Sequence, residues 1–160
     1  MAVLQKDETL SASTEVDCSA EALYAVVSDV TRIPQWSPET VRVQWDGSGR
    51  FRAWNRRRLA RWSTVAHVAT ARPAQEFSFV VQAMGGDWTQ WTYRIEPGAG
   101  RVRLTETFRM CRRLPLGILV YEWLFLFVRD RRSDLQANLE LSVRRIKAIA
   151  EAASNIQEVR

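Results

Sequence analysis

Six stretches of alternating apolar and polar residues follow one another between Glu39 and Arg112, and no helical segment separates them. They lead into one long amphipathic helix, Leu116 to about Ala153. Few folds are open to such an order. Strands joined by tight turns form an antiparallel sheet, and the apolar face of that sheet has to be covered by the helix that follows it. A sheet curved around a single helix has a concave face the helix cannot fill. An apolar cavity is therefore expected, and a cavity is where a ligand would sit.

The turns can be read one by one. Asp46-Gly47-Ser48-Gly49, Asn55 to Arg58, Ala71-Arg72-Pro73, Gly85-Gly86-Asp87 and Pro97-Gly98-Ala99-Gly100 carry the residues that tight turns use. They delimit strands at roughly 39–46, 49–56, 59–71, 75–83, 87–96 and 101–112, with proline only near strand ends. An earlier strand, Thr9 to Cys18, sets Leu10, Ala12, Thr14 and Val16 on one side and Ser11, Ser13, Glu15 and Asp17 on the other. Ser19 then reads as the N-cap of a short helix ending near Asp29, and a second short helix near Thr31 to Trp36 stops at Pro38. In the long helix Leu135, Leu139, Val143, Ile146 and Ala150 keep the three and four spacing of one buried face. The predicted architecture is α+β: a curved antiparallel seven-stranded sheet wrapped around a long C-terminal helix, with two short helices after the first strand. At 160 residues the chain reads as one domain, 1–160, with an ordered core at about 9–153 and a polar, fraying tail.

Period-two alternation assigns side chains to the concave face. Phe77 and Phe79 face in on one strand, Trp91 and Tyr93 on the next, and Phe51 and Asn55 on an earlier one. Trp62 and Thr64 are placed inward too, a parity that a bulge would reverse. Glu106 shares the inward parity of Leu104 and Phe108. Asn55, Thr64 and Glu106 are then the inward polar groups among large aromatic walls. A carboxyl facing an apolar cavity has its pKa raised by desolvation, which would let Glu106 act as acid or base near neutral pH. The competing reading pairs Glu106 with Arg103 or another arginine, or sets it in water at the sheet rim. Tyr93 either orients a ligand oxygen or bonds to the backbone as an ordinary core tyrosine. His67, the only histidine, falls on the outer face beside no nucleophile or orienting carboxylate.

Composition narrows the function. No phosphate loop, dinucleotide fingerprint or hydrolase motif occurs, so no cofactor is called for. Cys18 and Cys111 have no metal-ligand spacing and form no disulfide framework, so no metal is expected. The net charge of +5 is carried almost wholly by arginine, since Lys6 and Lys147 are the only lysines. That bias follows from GC-rich coding as readily as from phosphate binding. No nucleic-acid-binding pattern accompanies it, and nucleic acid is not the expected partner. The densest run, from Arg50 to Arg61, crosses a hairpin and reads as a solvated edge on which Trp54 can stack.

Residues 1–8 carry Lys6, Asp7 and Glu8 rather than an apolar signal core, which points to a cytoplasmic protein. Leu114 to Val128 is the most apolar run and is flanked by arginines. Its length falls short of the about 20 residues of a spanning helix, and Glu122 interrupts it. It is either the buried start of the long helix, a lid over the cavity mouth on which Tyr121 and Leu124 touch the ligand, or a peripheral membrane contact with arginines at the headgroups.

Several motifs, taken in order, also resemble a known family. They are Ser19-Ala20-Glu21-Ala22-Leu23-Tyr24 followed by Asp29, Trp36-Ser37-Pro38-Glu39, Gly49-Arg50-Phe51-Arg52 with Asn55, and Trp62-Ser63-Thr64 with Val68. Pro73, Phe77, Phe79, Trp91-Thr92-Tyr93, Thr105-Glu106 and the amphipathic last helix complete the series. Over about residues 9 to 153 the chain resembles the SRPBCC superfamily, and within it the START-like polyketide cyclase/dehydrase and lipid-transport group with the helix-grip fold. The resemblance implies a cavity for an apolar small molecule such as a lipid, an isoprenoid or a polyketide. Such a protein is either a binding or transport protein or a cofactor-independent cyclase or dehydratase, with Glu106 as acid/base in the second case. The chain departs from the family in having Ala53 where glycine is common and in the apolar character of 114–128.

Overall fold

The computed structural model of the protein describes residues 4–113, 115, 117, 118 and 130–158. Strand β1 (Thr9–Val16) is followed by helix α1 (Ala20–Ser28) and a 3-10 helix (Val30–Gln35). Six strands follow: β2 (Thr40–Trp45), β3 (Arg50–Arg57), β4 (Ala60–Arg72), β5 (Glu76–Ala83), β6 (Gly86–Pro97) and β7 (Val102–Met110). Helix α2 (Arg131–Glu158) closes the described chain. The strands form one seven-stranded sheet in the order β1-β7-β6-β5-β4-β3-β2, antiparallel throughout. This is the α+β helix-grip architecture the sequence predicts.

Local chemistry explains the junctions. Ser19 accepts a hydrogen bond from the amide of Ala22 at 3.1 Å, capping α1. Asp29 ends α1 and accepts from the amide of Thr31 at 3.1 Å, so one carboxylate terminates one helix and starts the next. Pro34 has no N–H to give, which suits the short, tight helix it sits in.

Three boundaries differ from expectation. The long helix does not run unbroken from Leu116, because Asp130 is outside it and caps α2. Its carboxylate accepts from the amides of Arg132 at 3.1 Å and Ser133 at 3.3 Å and from the Ser133 hydroxyl at 2.7 Å. At its other end α2 continues to Glu158, past the expected limit near Ala153. The ordered core also begins before residue 9, since Leu4 is buried against Phe108, Met110, Leu135 and Leu139.

Three register irregularities curve the sheet: at Thr40/Arg42 in β2, at Val68/Thr70 in β4, and where Trp88 of β6 stands unpaired between Asp87 and Thr89. The β4 bulge lies beyond Val68, so the inward parity of Trp62, Thr64 and Ala66 is undisturbed. α2 lays Leu135, Leu139, Val143, Ile146 and Ala150 on the sheet, all buried, while Ala153 is exposed. The main core lies between α1, the concave face and the second half of α2. A smaller one joins Leu4 and the first half of α2 to β7.

Candidate functional site

Between the concave face and α2 lies a cavity of about 330 Å³. Cross-strand rows build its walls. Trp45, Phe51, Ala66, Val81, Thr89 and Met110 follow one another across six strands in a single row. A second row runs from Phe79 through Trp91 to Phe108. The ring centroids of Phe51 and Phe79 are 5.1 Å apart and those of Trp91 and Phe108 are 5.2 Å apart, both edge to face, which fixes the aromatic walls.

A third row runs Phe77, Tyr93, Glu106, Ala12, and it carries the polar floor. The indole N–H of Trp36 donates to the Tyr93 hydroxyl at 3.2 Å, leaving the phenolic proton free to point elsewhere. Glu106 stands opposite Tyr93 on the neighbouring strand and is 2% exposed. Burial pushes its carboxyl up to about 7, against the pull of the Ser142 and Tyr93 hydroxyls beside it. Burial, and then the Glu106 carboxyl, push the Tyr93 hydroxyl well above its ordinary value. Arg103 does not pair with Glu106; it faces Glu15 on the other side of the sheet, at 3.9 Å. Among the described residues no ion pair involves Glu106, so the rim and salt-bridge reading of this residue is wrong.

At the opposite end the cavity has a second polar group. The Thr40 hydroxyl donates to Asn55 Oδ1 at 2.9 Å, and Asn55 Nδ2 reaches the Thr64 hydroxyl at 3.4 Å. Next to it lies an ionic cluster that the sequence reading missed. Arg57 donates to Asp134 at 2.6 Å and to Glu39 at 2.9 Å, while Arg131 meets Glu39 at 3.3 Å and Asp134 at 3.1 Å. Arg57 keeps only 22% of its side chain exposed, and the Asp134 carboxylate raises its guanidinium further above its usual value. The run from Arg50 to Arg61 is thus no uniform solvated edge. Arg57 ties β3 to the first turn of α2, and Trp54 stacks with Arg42 of β2, 4.6 Å from guanidinium carbon to ring centroid. Strand parity signals the correct placement, since Arg57 continues the inward series of Phe51, Ala53 and Asn55.

Of the residues singled out from the sequence, the cavity wall brings together Phe51, Asn55, Trp62, Thr64, Phe79, Trp91, Tyr93 and Glu106. Phe77 is the correction: it is buried beneath Tyr24 of α1, ring centroids 6.5 Å apart, and does not line the cavity. Tyr121 and Leu124, and the lid or membrane contact expected of 114–128, lie outside the described residues. Trp88, which the strand parities leave unassigned, lines the cavity as well, at the bulge where it stands unpaired. Ser142 and Asn138 also reach the cavity from α2. Among the described residues no group of three or more His, Cys, Asp or Glu side chains could hold a metal ion, and no helix is long and apolar enough to cross a membrane.

Comparison with known proteins adds to this geometry. The family described as polyketide cyclase / dehydrase and lipid transport matches residues 7–151. The chain belongs to this family. Solved structures agree on the fold. A protein of Deinococcus radiodurans is 14% identical with TM-score 0.68, over 91% of this chain and 99% of that one. A START superfamily protein from Mycobacterium smegmatis is 16% identical with TM-score 0.60, over 93% and 98%. The di-domain ARO/CYC StfQ from the steffimycin biosynthetic pathway is 11% identical with TM-score 0.71, covering 95% of this chain and 52% of that protein. At such identities the likeness is one of fold. No curated relative is matched. Membership of the polyketide cyclase / dehydrase and lipid transport family means, at the family level, binding of an apolar small molecule or cyclase chemistry upon one.

Proposed function

We propose that the protein binds or transports an apolar small molecule, of lipid, isoprenoid or polyketide type, in the cavity between its sheet and α2. The supporting observation is the wall itself: large rigid aromatics on three adjoining strands with a few polar groups among them, which is how ligand pockets are built. The ion pairs at one end neutralise one another, so the pocket offers no uncompensated cation to an acidic ligand there. Native mass spectrometry of the purified protein tests this reading. A co-purified apolar molecule, displaced by an added hydrophobic probe, is the expected result. Failure of every apolar probe to bind would count against it.

Burial of Glu106 favours a second reading, a cofactor-independent cyclase or dehydratase. A carboxyl that titrates near 7 can take a proton from a carbon beside a carbonyl and return it later in the reaction. The Tyr93 hydroxyl, which accepts from Trp36 and lies beside Glu106, would turn its own proton from that carboxyl to the enolate oxygen. Under this reading Glu106→Gln abolishes turnover of a poly-β-ketone substrate while leaving its binding intact. Under the carrier reading no turnover exists to lose.

A further inference from the structure

At the cavity floor Glu106 Oε2 and Ser142 Oγ make no hydrogen bond of good geometry among the described residues, although the Ser142 hydroxyl lies beside the Glu106 carboxyl. Their residues are 2% and 4% exposed, and both line the cavity. They approach it from different elements, β7 and α2, with Asn138 one turn before Ser142 on the same face of the helix. Buried polar groups of a folded protein are nearly always paired, so an adjacent pair left open toward a cavity marks a place where something else completes the bonding. We propose that this pair receives a hydroxyl group of the ligand, so that the molecule bound is an apolar, ring-containing alcohol or phenol that enters oxygen first. This rests on the reading of the cavity as a binding site.

A hydroxyl satisfies both atoms at once when Glu106 is ionised, donating to Glu106 Oε2 while accepting from the Ser142 hydroxyl. When Oε2 carries the proton the directions reverse, the hydroxyl accepting from Oε2 and donating to Ser142 Oγ, whereas a carbonyl has no proton to give and can serve only the protonated form. A carboxylate fails on two counts. It has no proton to give, and it would bring a second negative charge beside a carboxyl buried without a cation. Arg131, which lines the cavity, and Arg57 beside it are engaged by Glu39 and Asp134. An unfunctionalised hydrocarbon leaves the floor pair open. The Phe51, Phe79, Trp91 and Phe108 walls meanwhile favour a flat ring skeleton over a flexible chain.

Isothermal titration of the intact protein at neutral pH with naphthalene, 2-naphthol and 2-naphthoate tests the assignment. The three share one skeleton and differ only in the group offered to the floor. The expected result is that 2-naphthol binds at least about tenfold more tightly than either of the others, the worth of a well-made buried hydrogen bond. In Ser142→Ala the advantage of 2-naphthol over naphthalene should shrink to less than about threefold, with naphthalene unchanged. Glu106→Leu should do the same, and Ser142→Ala carries the test alone if that variant does not fold. Equal affinity for naphthalene and 2-naphthol in the wild type would overturn the hydroxyl assignment while leaving the cavity a binding site. Tightest binding of 2-naphthoate would overturn it as well. Binding of none of the three would count against the binding reading itself, and the assignment would fall with it.

Discussion

Glu106→Gln should change how stability depends on pH more than it changes stability at any one pH. The carboxyl has an ordinary value of 4.5 and burial raises it to about 7 in the folded protein. Below 4.5 folded and unfolded chains both hold the proton, and the residue is neutral in each. Between 4.5 and 7 the unfolded chain releases its proton while the folded chain keeps it, so stability falls as pH rises. Above 7 both states are ionised and the loss is complete, at about 3 kcal/mol for a shift of this size. The amide that replaces the carboxyl in the variant cannot titrate, so its stability has no such slope. Urea denaturation of both proteins between pH 5 and pH 8 isolates the effect, since every other titrating group is common to the two. The difference in unfolding free energy, variant minus wild type, should grow by about 2 to 3 kcal/mol in favour of the variant across that range. Profiles parallel to within about 0.5 kcal/mol would refute the reasoning, because they would mean that Glu106 is already ionised and stabilised in the fold.

Leu139→Ala removes the side chain that joins α2 to Phe108 and Met110 and should cost about 2 to 5 kcal/mol by chemical denaturation; a loss below about 1 kcal/mol would contradict the placement of this helix face. Arg57→Ala should cost about 1 to 2 kcal/mol, between the values for exposed and buried pairs, and a double-mutant cycle with Asp134→Ala should recover at least about 1 kcal/mol as coupling. No coupling would make the contact a surface pair without consequence. Trp36→Phe keeps the ring packed on Tyr93 but deletes the donor to its hydroxyl, so a loss of about 1 kcal/mol is expected, and a neutral result would show that this hydroxyl finds another donor.

Where alternation runs unbroken, the sequence can be read directly into the site. Tyr93 and Glu106 face the cavity because each lies in a strand whose pairing with its neighbour is continuous, so parity alone decides the side. Trp88 escapes that logic: one unpaired residue in β6 turns it toward the same side as Thr89, and no turn residue in the sequence marks the bulge. Phe77 escapes for a different reason. Its parity is inward as expected, but α1 occupies the space above it, and which part of a concave face a helix covers depends on tertiary packing rather than on period. The helix start shows the limit of hydropathy. An apolar run suggested that the helix begins at Leu116, whereas Asp130, a strong capping residue just after that run, is where α2 starts.

The Arg57 cluster beside the cavity and Glu106 within it show two ways of burying charge, and the contrast bears on the proposed function. At the Arg57 end four charged groups lie close enough to compensate one another, and their mutual geometry leaves little for a ligand to gain. At the floor no cation among the described residues pairs with Glu106, so the fold is accommodated by protonation of its carboxyl instead, with a free-energy cost near neutral pH and an open Oε2. Only a group that is unsatisfied in the empty protein can gain from what enters. On the proposed binding reading the floor is where a ligand is discriminated, with or without a reaction to follow. A carrier needs Glu106 only as a hydrogen-bonding partner, and Gln in its place should preserve much of the binding. A cyclase needs it to lose and regain a proton, which Gln cannot do. One substitution at the floor, read by affinity and by turnover, separates the two.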